Sequence, residues 1–153
     1  MIPSTADRQA LADLVHRYAA GVDDRRLGDV AALFTDDAEL ILPNPPASLE
    51  PVTVHRGRLA IAEAVAAVAA VERTAHAIVG EVYEREPDPD AARGRIACIA
   101  HHWLRRGDRI EAFVWYARYD DSYARTVSGW RIARRVLSID AIERRHLAQL
   151  RPG

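Results

Sequence analysis

Several side chains in this sequence are of types that could do chemistry. Asp23 follows an amphipathic stretch, and His76 sits early in a strand-like run. A histidine is a base suited to neutral pH, because its ordinary pKa lies near ~6.5. It works best when a carboxylate holds one ring tautomer and stabilises the imidazolium that forms. A phenol or guanidinium can hydrogen-bond to an oxygen on which charge develops; Tyr18 and Arg135 are of those types. His101 and His102 are adjacent and must point to opposite faces of a strand. Only one of them can see a given cavity, and the two cannot grip one metal there. Each residue also has a plainer reading. Asp23 can organise a turn, His76 can be a hydrogen-bonded core residue, and Tyr18 can simply pack. Of Arg134 and Arg135, one reads as surface charge and the other as half of an ion pair. Trp115 and Tyr119 read as core or cavity wall.

Composition narrows the chemistry. The chain has 153 residues, 49% hydrophobic and 28% charged, with a formal net charge of -1. That balance suits one globular domain and gives no pull toward nucleic acid or an anionic membrane. Every basic residue is Arg and none is Lys, which excludes Schiff-base chemistry and a phosphate-loop lysine. Cys98 is the one cysteine, so neither an internal disulfide nor a cysteine-based zinc site can form. No metal and no organic cofactor is expected. Met1 to Ala10 carries no secretory signature, and the longest apolar helical run, Ala64 to Val71, is too short to span a bilayer. A soluble cytoplasmic protein is the expectation.

The pattern of elements follows from periodicity. Ser4 to Asp7 is a helix-start signal, and Leu11, Leu14, Val15, Tyr18 and Val22 recur at helical spacing. This predicts a first helix over about residues 5 to 22. A short second helix follows, capped by Asp29, and then a strand at Ala38 to Leu42. Pro43, Pro45, Pro46 and Pro51 predict a long loop, a lid or a mouth. Arg58 to Val71 reads as a third helix. Strands are expected at Thr74 to Glu86, Ala92 to Leu104, Arg109 to Tyr123 and Trp130 to Asp140, with a terminal helix over Glu143 to Leu150. Short turns make these four strands antiparallel, so the class is α+β. Several strands are apolar on both faces, as in Ile96 to Ala100. Such a sheet needs cover on both sides, which points to a homo-oligomer.

Four segments carry a family resemblance: Tyr18 to Asp23, Leu33 to Ala38, Arg73 to His76, and Gly129 to Ile132. Together they resemble the NTF2-like superfamily in its SnoaL-like branch, over nearly the whole chain. That branch includes scytalone dehydratase, bile-acid 7α-dehydratase, hexachlorocyclohexane dehydrochlorinase and polyketide cyclases. The resemblance implies a cone: a curved antiparallel sheet around a pocket that three N-terminal helices close. It implies that Asp23 pairs with His76, that Tyr18 matches a dehydratase tyrosine, that His101 matches a second histidine, and that Arg135 matches a dehydrochlorinase arginine. Ala117 and Tyr119 replace polar residues of scytalone dehydratase, and Tyr18 replaces a lysine of the dehydrochlorinase, so neither substrate carries over. The implied function is a cofactor-independent lyase or isomerase acting on an apolar oxygenated small molecule such as a polyketide, steroid or terpenoid. Alternatives are a non-catalytic binding or scaffold domain, or the small subunit of a ring-hydroxylating dioxygenase. A homodimer or homotrimer is implied in either case.

Overall fold

A computed structural model describes residues 1–153. Helix α1 spans Thr5–Asp23. The Ser4 hydroxyl accepts the backbone N–H of Asp7, satisfying one of the donors that a helix start leaves free. Asp7 in turn accepts Trp130 Nε1 and Arg125, which pins the start of α1 to the far end of the sheet. Leu11, Leu14, Val15, Tyr18 and Val22 are all buried along one stripe, as their spacing predicts. Gly21 lets α2 (Leu27–Ala32) approach closely, since a Cβ there would lie 2.6 Å from Val30 Cγ2. No side chain caps α2, so Asp29 lies inside the helix rather than before it.

The chain continues as β1 (Phe34–Asn44), β2 (Ser48–Arg56) and α3 (Arg58–Ala66), which a single 3-10 turn extends to Ala70. Then come β3 (Arg73–Arg85), β4 (Ala91–Arg106), β5 (Arg109–Thr126) and β6 (Gly129–His146). Six strands form one sheet in the order β2-β1-β6-β5-β4-β3. All neighbours are antiparallel except β1 and β6, which run parallel. Register shifts at Ile78/Gly80, Tyr116/Ala117 and Ser122/Tyr123 bend the long strands. The helices lie against the resulting hollow, giving the α+β cone of an NTF2-like fold. No helix is long and apolar enough to cross a membrane.

Two further expectations differ from the structure. The long proline loop is a tight turn followed by β2, and Pro51 sits inside that strand. Proline is tolerated there because β2 is a sheet edge. The terminal helix does not form: Glu143 to His146 extend β6 and pair with β5. The last residues lie back against the sheet instead. Arg73 donates to the carbonyls of Arg151 and Pro152, and Arg105 to that of Leu150.

Candidate functional site

Asp23 ends α1, a place where the helix dipole disfavours negative charge. Three donors offset that. Asp23 Oδ1 takes His76 Nδ1 at 2.7 Å and the Thr74 hydroxyl at 2.9 Å. Oδ2 takes the His76 backbone N–H at 2.9 Å. Burial alone would raise the carboxyl's pKa, but the hydrogen bonds from the His76 ring and backbone and from Thr74 hold it below its ordinary value. Arg25 completes the arrangement. With φ 60, its backbone turns sharply after the helix. Its guanidinium donates to Thr74 Oγ1 at 2.8 Å and to the carbonyls of Val22 and Val71. An Arg25–Thr74–Asp23–His76 chain therefore ties the end of α1 to the start of β3. The sequence marks Arg25 only as part of a polar break, and its role depends on a contact 49 residues away.

A carboxylate can only accept, so His76 carries its hydrogen on Nδ1. In the neutral ring Nε2 is then the acceptor, and no protein group bonds to it. The ring is 10% exposed and lines a cavity of about 730 Å³, a volume in the range of small-molecule sites. Seventeen of the 23 lining residues are hydrophobic. Tyr18, Trp115 and Tyr119 are all part of the wall. Burial raises the pKa of both tyrosines, so their hydroxyls stay protonated donors at neutral pH.

His101 and Arg135 lie elsewhere. His76 stands opposite Ala100 of β4. Alternation then gives the cavity Ala100, His102 and Leu104, and sends His101 to the outer face. The second histidine of the cavity is therefore His102. Its Nδ1 is 3.1 Å from the Phe113 carbonyl, so it carries the hydrogen. Its ring lies 4.5 Å from Trp115 and 6.1 Å from His76, centroid to centroid. Arg135 is wholly buried, and its Nε and Nη2 grip both oxygens of Asp121 at 2.8 and 2.6 Å. Burial alone would weaken its hold on the proton, but the Asp121 charge reverses this and keeps the guanidinium charged. It stacks 4.3 Å from the rings of Tyr18 and Tyr119, behind the cavity wall rather than in it. Cys98 is buried and free. No group of three or more metal-ligating side chains is present.

His102 gives a pH prediction. Burial, the largest influence, pushes its pKa from 6.5 down to about 4. The unfolded chain therefore binds this proton more readily than the folded one. Stability should be full above pH 6.5 and fall as pH drops toward 4, by on the order of 3 kcal/mol in total. Denaturant titrations of the wild type and His102→Gln across this window should show the wild type alone losing that increment. Equal slopes would contradict the assignment.

The SnoaL-like domain family matches residues 3–136. An uncharacterised protein of Mycobacterium tuberculosis is 26% identical over 135 residues, covering 88% of this chain and 86% of its own. A crystal structure of a Kribbella flavida protein superposes with a TM-score of 0.78 at 24% identity, over 90% of this chain and 93% of that one. The LinA-type3 hexachlorocyclohexane dehydrochlorinase of Novosphingobium barchaimii superposes with a TM-score of 0.73 at 21% identity, over 95% and 92%. At these identities the two structures establish the fold, and the family match covers most of the chain: it belongs to the SnoaL-like domain family.

Proposed function

We propose that this protein is a cofactor-independent lyase or isomerase that removes a proton from carbon beside a carbonyl. The observation that carries this reading is the 2.7 Å Asp23–His76 pair on the wall of a large apolar cavity. His76 Nε2 takes the proton. Asp23, held below its ordinary pKa, stays anionic and stabilises the imidazolium. The Tyr18 hydroxyl donates to the carbonyl oxygen as it becomes an enolate. If a hydroxyl stands β to the carbonyl, the electron pair expels it, and His76 returns its proton to the leaving oxygen. Water and a conjugated double bond result, and His76 is neutral again. Without a leaving group, the same enolate is reprotonated at another carbon, which is isomerisation. The apolar wall suits a polyketide, steroid or terpenoid, and it strengthens each of these interactions by excluding water.

The fold relatives include a hexachlorocyclohexane dehydrochlorinase, and elimination is the reaction that this arrangement performs most simply. The test is a β-hydroxy ketone with an alkyl tail, such as 4-hydroxy-2-decanone, followed by the ultraviolet absorbance of the conjugated enone. Enone should form faster with protein than in buffer. Binding of the probe in the cavity with no acceleration would make the protein a binding module instead.

A further inference from the structure

The mechanism above uses one end of the cavity and leaves the other unexplained. Among the 23 residues that line it, Arg106 is the one with a permanent charge. It stands at the end of β4, six residues along the strand from Ala100, the partner of His76. At about 3.3 Å per residue, the backbone positions of Ala100 and Arg106 are roughly 20 Å apart, and the Arg106 guanidinium reaches back over Phe113, the β5 residue opposite His102.

The surroundings of Arg106 leave it free to bind. Its guanidinium lies 5.4 Å from the Phe113 ring, and Phe113 is part of the cavity wall. Arg144 approaches the same ring at 5.6 Å. Between the two arginines sits Glu111, buried beneath them. Arg144 Nη2 donates to Glu111 Oε1 at 2.6 Å in a close ion pair. Arg106 Nε stays 4.0 Å from Oε2, too far for a hydrogen bond, and Oε2 has no hydrogen-bond partner. One carboxylate thus faces two guanidiniums, and a net positive charge remains at the rim. The Arg106 side chain is 59% exposed and all five of its N–H donors are without a protein acceptor. A guanidinium over an aromatic ring at the mouth of an apolar cavity suits the head of an amphiphile whose tail lies inside.

We propose that Arg106 is a specificity-determining residue, and that the natural ligand is an elongated amphipathic carboxylate. Its apolar body fills the cavity toward His76 and its carboxylate sits on Arg106 at the rim. This rests on the cavity being the reaction site, and it deepens that reading by naming the ligand's second anchor. Two separate anchors fix which carbon of a long, featureless body reaches Nε2. Short neutral ketones would slide in the cavity, whereas an anchored acid would present one position.

The test needs no turnover. Decanoate and 1-decanol differ only in the head and share a tail that fits the cavity. Their affinities are read by calorimetry at pH 8 and low ionic strength. Decanoate should bind about five- to tenfold more tightly, the scale of a partly exposed ion pair with charge-assisted hydrogen bonds. Added salt should shrink the difference. Arg106→Met should abolish the preference while decanol binding stays unchanged, and Arg106→Lys should retain part of it. His76→Ala should leave it intact, which separates this proposal from the catalytic one. Equal affinities in the wild type, no binding of decanoate, or a preference that survives in Arg106→Met would each overturn it.

Discussion

Replacing His76 with alanine is expected to lower turnover by about 10²–10⁴-fold, the usual contribution of a positioned general base. Ligand affinity should change little. The ring is one of 23 wall residues, most of them apolar, so binding energy comes mainly from elsewhere. Loss confined to kcat marks an interaction made chiefly in the transition state. Asp23→Asn should cost a similar factor for a different reason. An asparagine amide can orient the ring, but it brings no charge to stabilise the imidazolium and can favour the other tautomer. The double variant should be barely worse than either single one, because the two groups act as a unit. Steady-state kinetics on the same probe, with Kd measured separately, distinguishes these outcomes. Equal turnover in His76→Ala would remove the base from the mechanism, and a raised KM with unchanged kcat would reduce His76 to a binding contact.

Arg135→Met is expected to destabilise the fold by about 3–5 kcal/mol, as breaking a buried ion pair does when one charge is left behind. Both side chains of the Arg135–Asp121 pair are 0% exposed. With Arg135 gone, only the Tyr123 hydroxyl, at 2.6 Å, would still serve the Asp121 carboxylate. The guanidinium also stacks on Tyr18 and Tyr119, so the cavity wall loses its backing. Removing both charges in Arg135→Met with Asp121→Leu should recover much of the loss, since a well-packed apolar pair often replaces a buried ion pair at no net cost. Denaturant unfolding at pH 7 measures both variants. A loss below about 1 kcal/mol in Arg135→Met would show that the buried pair is not a structural anchor.

The same arginine shows how far sequence alone reaches. That Arg134 and Arg135 oppose each other was legible from strand alternation, and one does pair at the surface while the other is buried in an ion pair. The resemblance pointed Arg135 at the reaction; the β5–β6 register places Asp121 directly across from it and engages its Nε and Nη2. The choice between His101 and His102 has a similar origin. Alternation says that one of the two faces inward, but only the β3–β4 register, with His76 opposite Ala100, says which. Register arises from long-range pairing, and a slip of one residue exchanges the faces. The helical stripe of α1 and the β3–β6 hairpins were legible because each signal is local. Strand β2 was hidden because proline argues against a strand unless the strand is known to be an edge. The final turn of sheet at Glu143 to His146 looked helical because isolation of its pattern from β5 left propensity as the only guide.

The central claim is that His76 Nε2 abstracts a proton from carbon inside the cavity. Deuterium exchange tests it without the natural substrate. An apolar ketone such as 2-decanone is incubated with the protein in D2O at neutral pH, and loss of its α-proton signals is followed by NMR. Wild-type protein should accelerate exchange well above the buffer rate, and His76→Ala should return it to the buffer rate while the ketone still binds. Acceleration that persists undiminished in His76→Ala, or none in the wild type with the ketone bound, would contradict the claim.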